Sequence, residues 1–339
     1  MNKTIYDIAR EINMSPATVS RALNNSGYVS DSTKALVMNA AEGYTFRKKT
    51  AHPTIRVASK TIGLLLAHDS SYFFNSSAYV SIMQGISEIA KLQHYNLLLS
   101  IDTNEASSIE LYDRGKVDGF ILLGIRKSSS LIPCLQSRNI PFVLIGDVLP
   151  NLYTTSFCTV DIDDFAAAKE ATDYLITLGH KSIAYISGSF EYASCYYRYL
   201  GYKSALEEAG IPCDSKYVAT SAYVTEENTI NLFKRVLYQS PRPTAVVSFN
   251  DAVSIAVYKA IKECGYSIPN DISVIGFDDS AFAKYVTPPL TVVWQPCVEK
   301  GKRAATALIG SLSNGILAKE KIVLSSVLLY RESCSPPSL

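Results

Sequence analysis

No stretch of the chain approaches the roughly 18 uncharged apolar residues that a membrane-spanning helix needs, so no span is expected. Its seven cysteines, at 134, 158, 195, 213, 264, 297 and 334, are odd in number and never form a CxxC pair. That pattern argues against a disulfide framework and a zinc site, and it suits a reducing, cytoplasmic setting. Histidine is scarce: His52, His68, His94 and His180 are not spaced for a metal, and neither metal nor other cofactor is expected. His180 precedes an expected strand and reads as structural. The chain has no GxSxG elbow, no GxxxxGKS/T loop and no HExxH helix, which removes the usual grounds for an enzyme reading. The opening residues MNKTIYDIAREINMS carry charge throughout and have no apolar h-region, so no secretory signal is expected.

What is present is an ordinary globular composition, 47% hydrophobic and 19% charged over 339 residues, long enough for two or more compact units. The net charge of +1 conceals an asymmetry. Residues 1–60 hold nine Lys/Arg against four acids, and the remainder holds 23 against 27. A basic head on a mildly acidic body points to a polyanion-binding module joined to something else.

From about residue 61, short β-branched apolar runs alternate with amphipathic stretches. The runs are Ile62–Ala67, Leu97–Ile101, Phe120–Leu123, Pro141–Ile145, Ile183–Ile186, Ala245–Phe249 and Ile272–Phe277. Apolar on both faces, they read as buried parallel strands. Val80, Met83, Ile86 and Ile89 recur at helical spacing, and Ala256, Ala260 and Ile261 line one face of a helix beginning at Asp251. The alternation predicts doubly wound α/β sheets, and about a dozen strands are too many for one sheet, so two similar subdomains are expected. Residues 45–60, TFRKKTAHPTIRVASK, are basic, contain Pro53 and lack a strong apolar period, as a linker does. The tail SCSPPSL suits neither strand nor helix.

The first 46 residues read as three short helices. Thr4 can cap the first, which carries Ile5, Ile8, Ala9 and Ile12 on one face. Asn13 stands where the chain must leave it, a place for the left-handed conformation that asparagine tolerates. Ser15 and Pro16 then supply an N-cap and a first-turn proline for the second helix. Val19, Ala22 and Leu23 face inward, and a third helix opens at Ser30–Asp31. Two helices joined by a tight turn and braced by a third form a helix-turn-helix, whose second helix enters the major groove of a duplex. Ala17 is small enough to touch a thymine methyl, and Arg21 can read guanine or hold a phosphate. Ser15, Thr18, Ser20 and Asn24 are candidate phosphate donors, and Pro16 and Thr4 complete the DNA-facing set.

SPATVSRALN followed by YVSDSTK resembles the headpiece of the LacI/GalR family of bacterial repressors. The resemblance continues through VDGFILL (117–123), LGHKSIAYISG (178–188), RYLGYKSALEEAGI (198–211), FND (249–251), IPNDISVIGFDDS (268–280) and PPLTVVWQP (288–296). It implies an all-α helix-turn-helix headpiece (1–46), a hinge (47–60) and a periplasmic-binding-protein-like α/β body (61–339). The body would comprise an N-subdomain of about 61–159 and 292–322 and a C-subdomain of about 160–291 and 323–339. It implies a homodimer that binds a roughly palindromic operator, and a sugar-like effector in the cleft between subdomains, in a repressor of carbohydrate-utilisation genes. By the same resemblance Arg198 grips effector hydroxyls or a carboxylate, Asp278 and Asn250 face it, and Asp147, Tyr223, Phe73 and Phe74 line the cleft, Tyr223 stacking on a sugar. Each has a structural reading too: Arg198 paired with a surface acid, Asp278 capping the next turn, Phe73 and Phe74 in the core.

The hinge departs from the family pattern. Ala51-His52-Pro53-Thr54-Ile55 stands where an Ala-Arg-x-Leu core is usual; Ile55 aligns with the minor-groove leucine when counted from the N-terminal side, and Thr54 when counted back from Ile62-Gly63. Pro53 can sit only in the first turn of a helix, so any hinge helix is short or shifted, and weaker insertion is expected, offset by phosphate contacts from Lys48, Lys49 and Arg56. Two alternatives differ in class. TIYDIARE and HYNLLLS look faintly like the catabolite-control branch, in which a protein co-regulator replaces the small effector. A sugar-binding transport protein shares the body fold but calls for a secretory signal and no headpiece.

Overall fold

The computed structural model describes residues 5–24, 29–41, 58–66, 74–101, 105–149, 157–221 and 225–338. The chain divides into two compact units, Met1–Val57 and Ala58–Leu339.

In the first unit α1 (Ile5–Glu11), α2 (Pro16–Asn24) and α3 (Asp31–Ala41) enclose a small core. Ile8, Ala9, Val19, Ala22 and Val37 are buried in it, with Ile5, Ile12, Leu23 and Val29 packed against them. Asn13 is left-handed at φ 52°, and Met14 N returns a hydrogen bond to Ala9 O (2.8 Å), which closes the turn into α2. Ser30 caps α3, its Oγ accepting from Thr33 N.

The body holds twelve strands among its described residues, in two six-stranded sheets. In the first, β1 (Thr61–Leu66), β2 (Asn96–Ile101), β3 (Gly119–Leu123), β4 (Phe142–Ile145), β5 (Cys158–Ile162) and β11 (Lys321–Leu324) run in the order β11-β5-β4-β3-β1-β2, all parallel. In the second, β6 (Ile183–Gly188), β7 (Val218–Ser221), β8 (Ala245–Ser248), β9 (Ser273–Asp278), β10 (Thr291–Trp294) and β12 (Val327–Leu329) run β12-β10-β9-β8-β6-β7, with β12 alone antiparallel. All seven apolar runs are strands; six are buried between covering layers, and Leu97–Ile101 is the half-buried edge strand β2. Along β1, Ile62, Leu64 and Leu66 enter one core while Leu65 enters the core on the opposite face. The same inner order in both sheets places a switch point between β1 and β3 and another between β6 and β8, where ligands bind at carboxyl ends.

The subdomain boundaries need correction. β5 extends to Ile162 in the first sheet, and β10 pairs with β9 and β12 in the second. The chain therefore crosses at 163, 295–296 and 325–326, two or three residues beyond the expected 160, 292 and 323. Composition marks where an apolar run starts, but hydrogen-bonded neighbours decide which sheet owns it.

The covering helices are α4 (Ser77–Leu92), α5 (Glu105–Asp113), α6 (Leu131–Ser137) and α12 (Cys297–Asn314) on the first sheet. The second carries α7 (Asp164–Thr177), α8 (Ala193–Glu208), α9 (Glu226–Leu237), α10 (Asp251–Glu263) and α11 (Ala281–Tyr285). In α4 the buried stripe is Ile82, Gly85, Ile86 and Ala90, so Val80 looks outward. Glycines let α4 and α12 touch backbone to backbone: a Cβ on Gly301 would collide with Ile82 O, and one on Gly85 with Val298 O. Gly301→Ala is thus expected to destabilise the body by about 1–3 kcal/mol through overpacking. A lowered urea midpoint at unchanged slope is the measurement; an unchanged midpoint would mean the two helices are free to separate.

Candidate DNA-binding headpiece and effector cleft

Proline starts α2 at the one turn where a missing N–H costs nothing, and Ser15 Oγ accepts from Thr18 N (3.1 Å) while bonding the Thr18 hydroxyl (2.8 Å). Burial of Val19 and Ala22 turns the opposite side outward. Ser15, Pro16, Ala17 and Arg21 are exposed, with Thr18 and Ser20 half-buried. Ala17 and Arg21 lie one turn apart on this surface. Asn24 ends the helix, with its side chain outside the described residues, as are Thr4 and Ile55 altogether.

In the body, Arg198, Asn250 and Asp278 come together at the carboxyl ends of β6, β8 and β9. Arg198, on α8, is 4% exposed. Its Nε donates to Asp164 Oδ1 (2.7 Å), its Nη1 to Phe249 O (2.6 Å), and its guanidinium stacks on the Phe277 ring (4.1 Å). The acid it pairs with is buried, not on the surface. Asn250 caps α10, its Oδ1 accepting from Val253 N (2.9 Å). Asp278 takes a left-handed backbone (φ 95°) and accepts from Gln295 Nε2 (2.6 Å); the residue before α11 is Ser280. Asp147 follows β4, where its Oδ2 pairs with Lys321 (2.5 Å). Phe74 is 56% exposed and is therefore not a core residue. Phe73 and Tyr223 lie outside the described residues.

A cavity of about 320 Å³ opens beside Asp278. Its walls include Ser77 and Ser81 of α4, Trp294 and Gln295 at the second crossing, and Glu299 of α12. Beneath it a polar relay runs between the sheets. Lys300 Nζ donates to Asp161 Oδ1 (2.5 Å) and Gln295 Oε1 (2.8 Å), and Gln295 passes on to Asp278. On the other side the subdomains meet through Lys127 N to Glu191 O (2.8 Å), Arg126 Nε to Tyr192 Oη (2.8 Å) and Tyr197 Oη to Val148 O (2.9 Å).

Sequence reasoning missed Trp294, Gln295, Asp161, Asp164 and Lys300. For Lys300 a signal existed: it stands in the buried register of α12, with Cys297, Gly301, Ala304 and Leu308. A charge in an apolar stripe calls for a buried partner. Asp161, an acid inside the run CTVDI, is that partner.

Carboxylates here titrate unusually. Asp251 Oδ2 accepts from Ser280 N (2.7 Å), while its Oδ1 is buried without a partner among the described residues. Burial, and then the negative charge of Asp278, push Asp251 up to about 7 from 3.8. Between about pH 4 and 7 the folded protein keeps a proton that the unfolded chain has released. Stability from this group is therefore full below that window and is lost as pH rises through it. Asp251→Asn keeps an acceptor for Ser280 N and is expected to stabilise the body at pH 8 relative to wild type, with a flatter decline from pH 5. Thermal unfolding across that range is the check; parallel curves would contradict it.

Comparison with known proteins places these observations. The family described as bacterial regulatory proteins, lacI family, matches residues 4–48, and a periplasmic binding protein-like domain matches residues 172–334. The HTH-type transcriptional regulator DegA of Bacillus subtilis (strain 168) is 33% identical, covering 99% of this chain and 99% of its own. Catabolite control protein A of Priestia megaterium is 31% identical, covering 98% and 99%. Among solved structures, a complex of the transcriptional regulator CelR with cellobiose superposes with a TM-score of 0.76 at 26% identity, covering 98% of this chain and 100% of that one.

Proposed function

The chain belongs to the lacI family of bacterial regulatory proteins, and from that premise we propose a homodimeric, cytoplasmic repressor of carbohydrate-utilisation genes. Two headpieces present α2 to the half-sites of a near-palindromic operator, as a twofold protein requires. A sugar-like effector in the body cleft alters how well the two copies dock together. The observation that carries this reading is the joining, in one chain, of an exposed α2 surface bearing Ser15, Ala17 and Arg21 to a two-sheet body with a cavity at its crossings.

Arg198, Asn250 and Asp278 are assigned to effector binding from the second sheet, and Asp147, Phe73, Phe74 and Tyr223 to the surrounding wall. These groups are assigned to hold a ligand, not to transform it. The three crossings form the hinge. Effector that prefers one closure of the cleft shifts the population toward it, and the spacing of the headpieces follows. The whole-chain similarity to catabolite control protein A, at 31% identity, is slightly exceeded by that to DegA, at 33%, so it lends no preference to a protein co-regulator.

The first test selects duplexes from a random pool with the intact protein and measures their affinity by fluorescence anisotropy. Arg21→Ala is expected to lose about 1–3 kcal/mol at the selected operator and to relax discrimination at one position per half-site. Equal weakening on unrelated duplexes would make Arg21 a phosphate clamp, and unchanged binding would remove α2 from the interface. Cellobiose, bound in the CelR complex, is the first compound to add.

A further inference from the structure

We infer that the effector carries no negative charge: a polyhydroxylated molecule, neutral or bearing an amine, with one apolar face laid on Trp294. This rests on reading the cavity at the second crossing as the effector cleft. Its walls contain three carboxylates, on Asp278, Asp279 and Glu299, and three serines, 77, 81 and 280. Among the described residues no lysine, arginine or histidine contributes to them. Body residues 67–73, 102–104, 150–156 and 222–224 contain no lysine or arginine and one histidine, His68.

The nearby cations each pair with an acid of the protein. Arg198, itself assigned to effector binding, is paired with Asp164, Lys300 with Asp161, Arg331 and the half-exposed Lys284 with Asp279, and Arg303 with Glu299. Arg126 and Lys127 are exposed at the far rim, where Arg126 donates to Tyr192. Opposing this, the N-terminus of the 18-residue α12 points its first turn at the cavity, equivalent to about half a positive charge. Asp278 accepts from the neutral amide of Gln295 and, among the described residues, forms no ion pair of its own, Arg198 and Lys300 acting on it only through space. A carboxylate or phosphate entering here meets the charge of Asp278 in a partly desolvated site, and among the described residues every nearby cation is already paired with an acid. A hydroxyl or ammonium meets acceptors, since Asp278 and the serine oxygens all accept. Trp294 is 38% exposed in the wall, and an indole face suits the C–H face of a sugar ring.

Trp294 is the only tryptophan of the 339 residues, so its emission reports on this cavity alone. The intact protein is titrated with matched compounds: cellobiose against cellobionate, ribose against ribose 5-phosphate, and glucose and glucosamine against glucose 6-phosphate. The expected result is a saturable change with at least one neutral or amino member, its anionic counterpart binding about a hundredfold more weakly. Asp278→Asn, near-isosteric, should narrow that gap to about tenfold. An anionic member that binds as tightly as its neutral counterpart overturns the inference, and so does an unmoved Trp294 with every compound. Parallel operator titrations separate the two readings. A compound that shifts operator affinity without moving Trp294 removes the cavity assignment and leaves the sensor intact. An anionic compound that moves both removes only the charge rule, and no effect of any compound on operator affinity removes the sensor.

Discussion

Asp161→Asn is expected to destabilise the body by about 3–5 kcal/mol, a large part of what holds a typical domain together. Lys300 is 4% exposed and its ammonium has two partners, Asp161 and Gln295. Burial pulls its pKa down, but the carboxylates of Asp161 and Asp164 outweigh that and hold it above the ordinary lysine value. Removing the Asp161 charge leaves an interior ammonium whose described hydrogen-bond partners are neutral, with Asp164, already paired to Arg198, acting on it only through space. Adding Lys300→Met to the same protein should recover most of the loss, because the straight thioether fills similar space without a charge to bury. Urea denaturation of wild type, single and double variants measures it. A single variant within about 1 kcal/mol of wild type would mean that Lys300 reaches solvent or gives up its proton, and that the relay does not tie the sheets together.

Removing residues 1–57 should abolish selective duplex binding while leaving the body folded and its Trp294 emission responsive. The two units are separately compact. The remaining chain carries 24 basic against 27 acidic residues, so even non-specific attraction to phosphate is lost with the headpiece. The expected fall at the selected operator is at least about a thousandfold. Retained selectivity in the truncated chain would move the recognition surface into the body and contradict the headpiece assignment. A body that unfolds on truncation would instead make the two units interdependent, which circular dichroism distinguishes.

The headpiece was legible because its signals are local. Asn13, Ser15 and Pro16 act within one turn of where they stand, and the left-handed asparagine and the serine cap follow from those residue types alone. The central strands were legible because they are covered on both faces, so apolar content needs no partner to reveal it. β7, β11 and β12 are short edge strands with exposed positions, and nothing along the chain separates such segments from loops. β10 was seen as part of a motif, but its sheet was not, since ownership depends on hydrogen bonds to residues far off in sequence.

The candidate site divides in the same way. Arg198, Asn250 and Asp278 do converge on adjacent strand ends, yet their local partners, Asp164, the first turn of α10 and Gln295, become visible only in three dimensions. Trp294 stood only as one letter of the motif PPLTVVWQP. Its place in a cavity wall depends on α4, more than two hundred residues earlier.

The central claim is that α2 reads a particular duplex. Its most direct test is a competition at one fixed salt concentration between the selected operator and a shuffled duplex of identical composition. The account predicts a preference of about a thousandfold or more for the operator. Equal affinity for the two would contradict it.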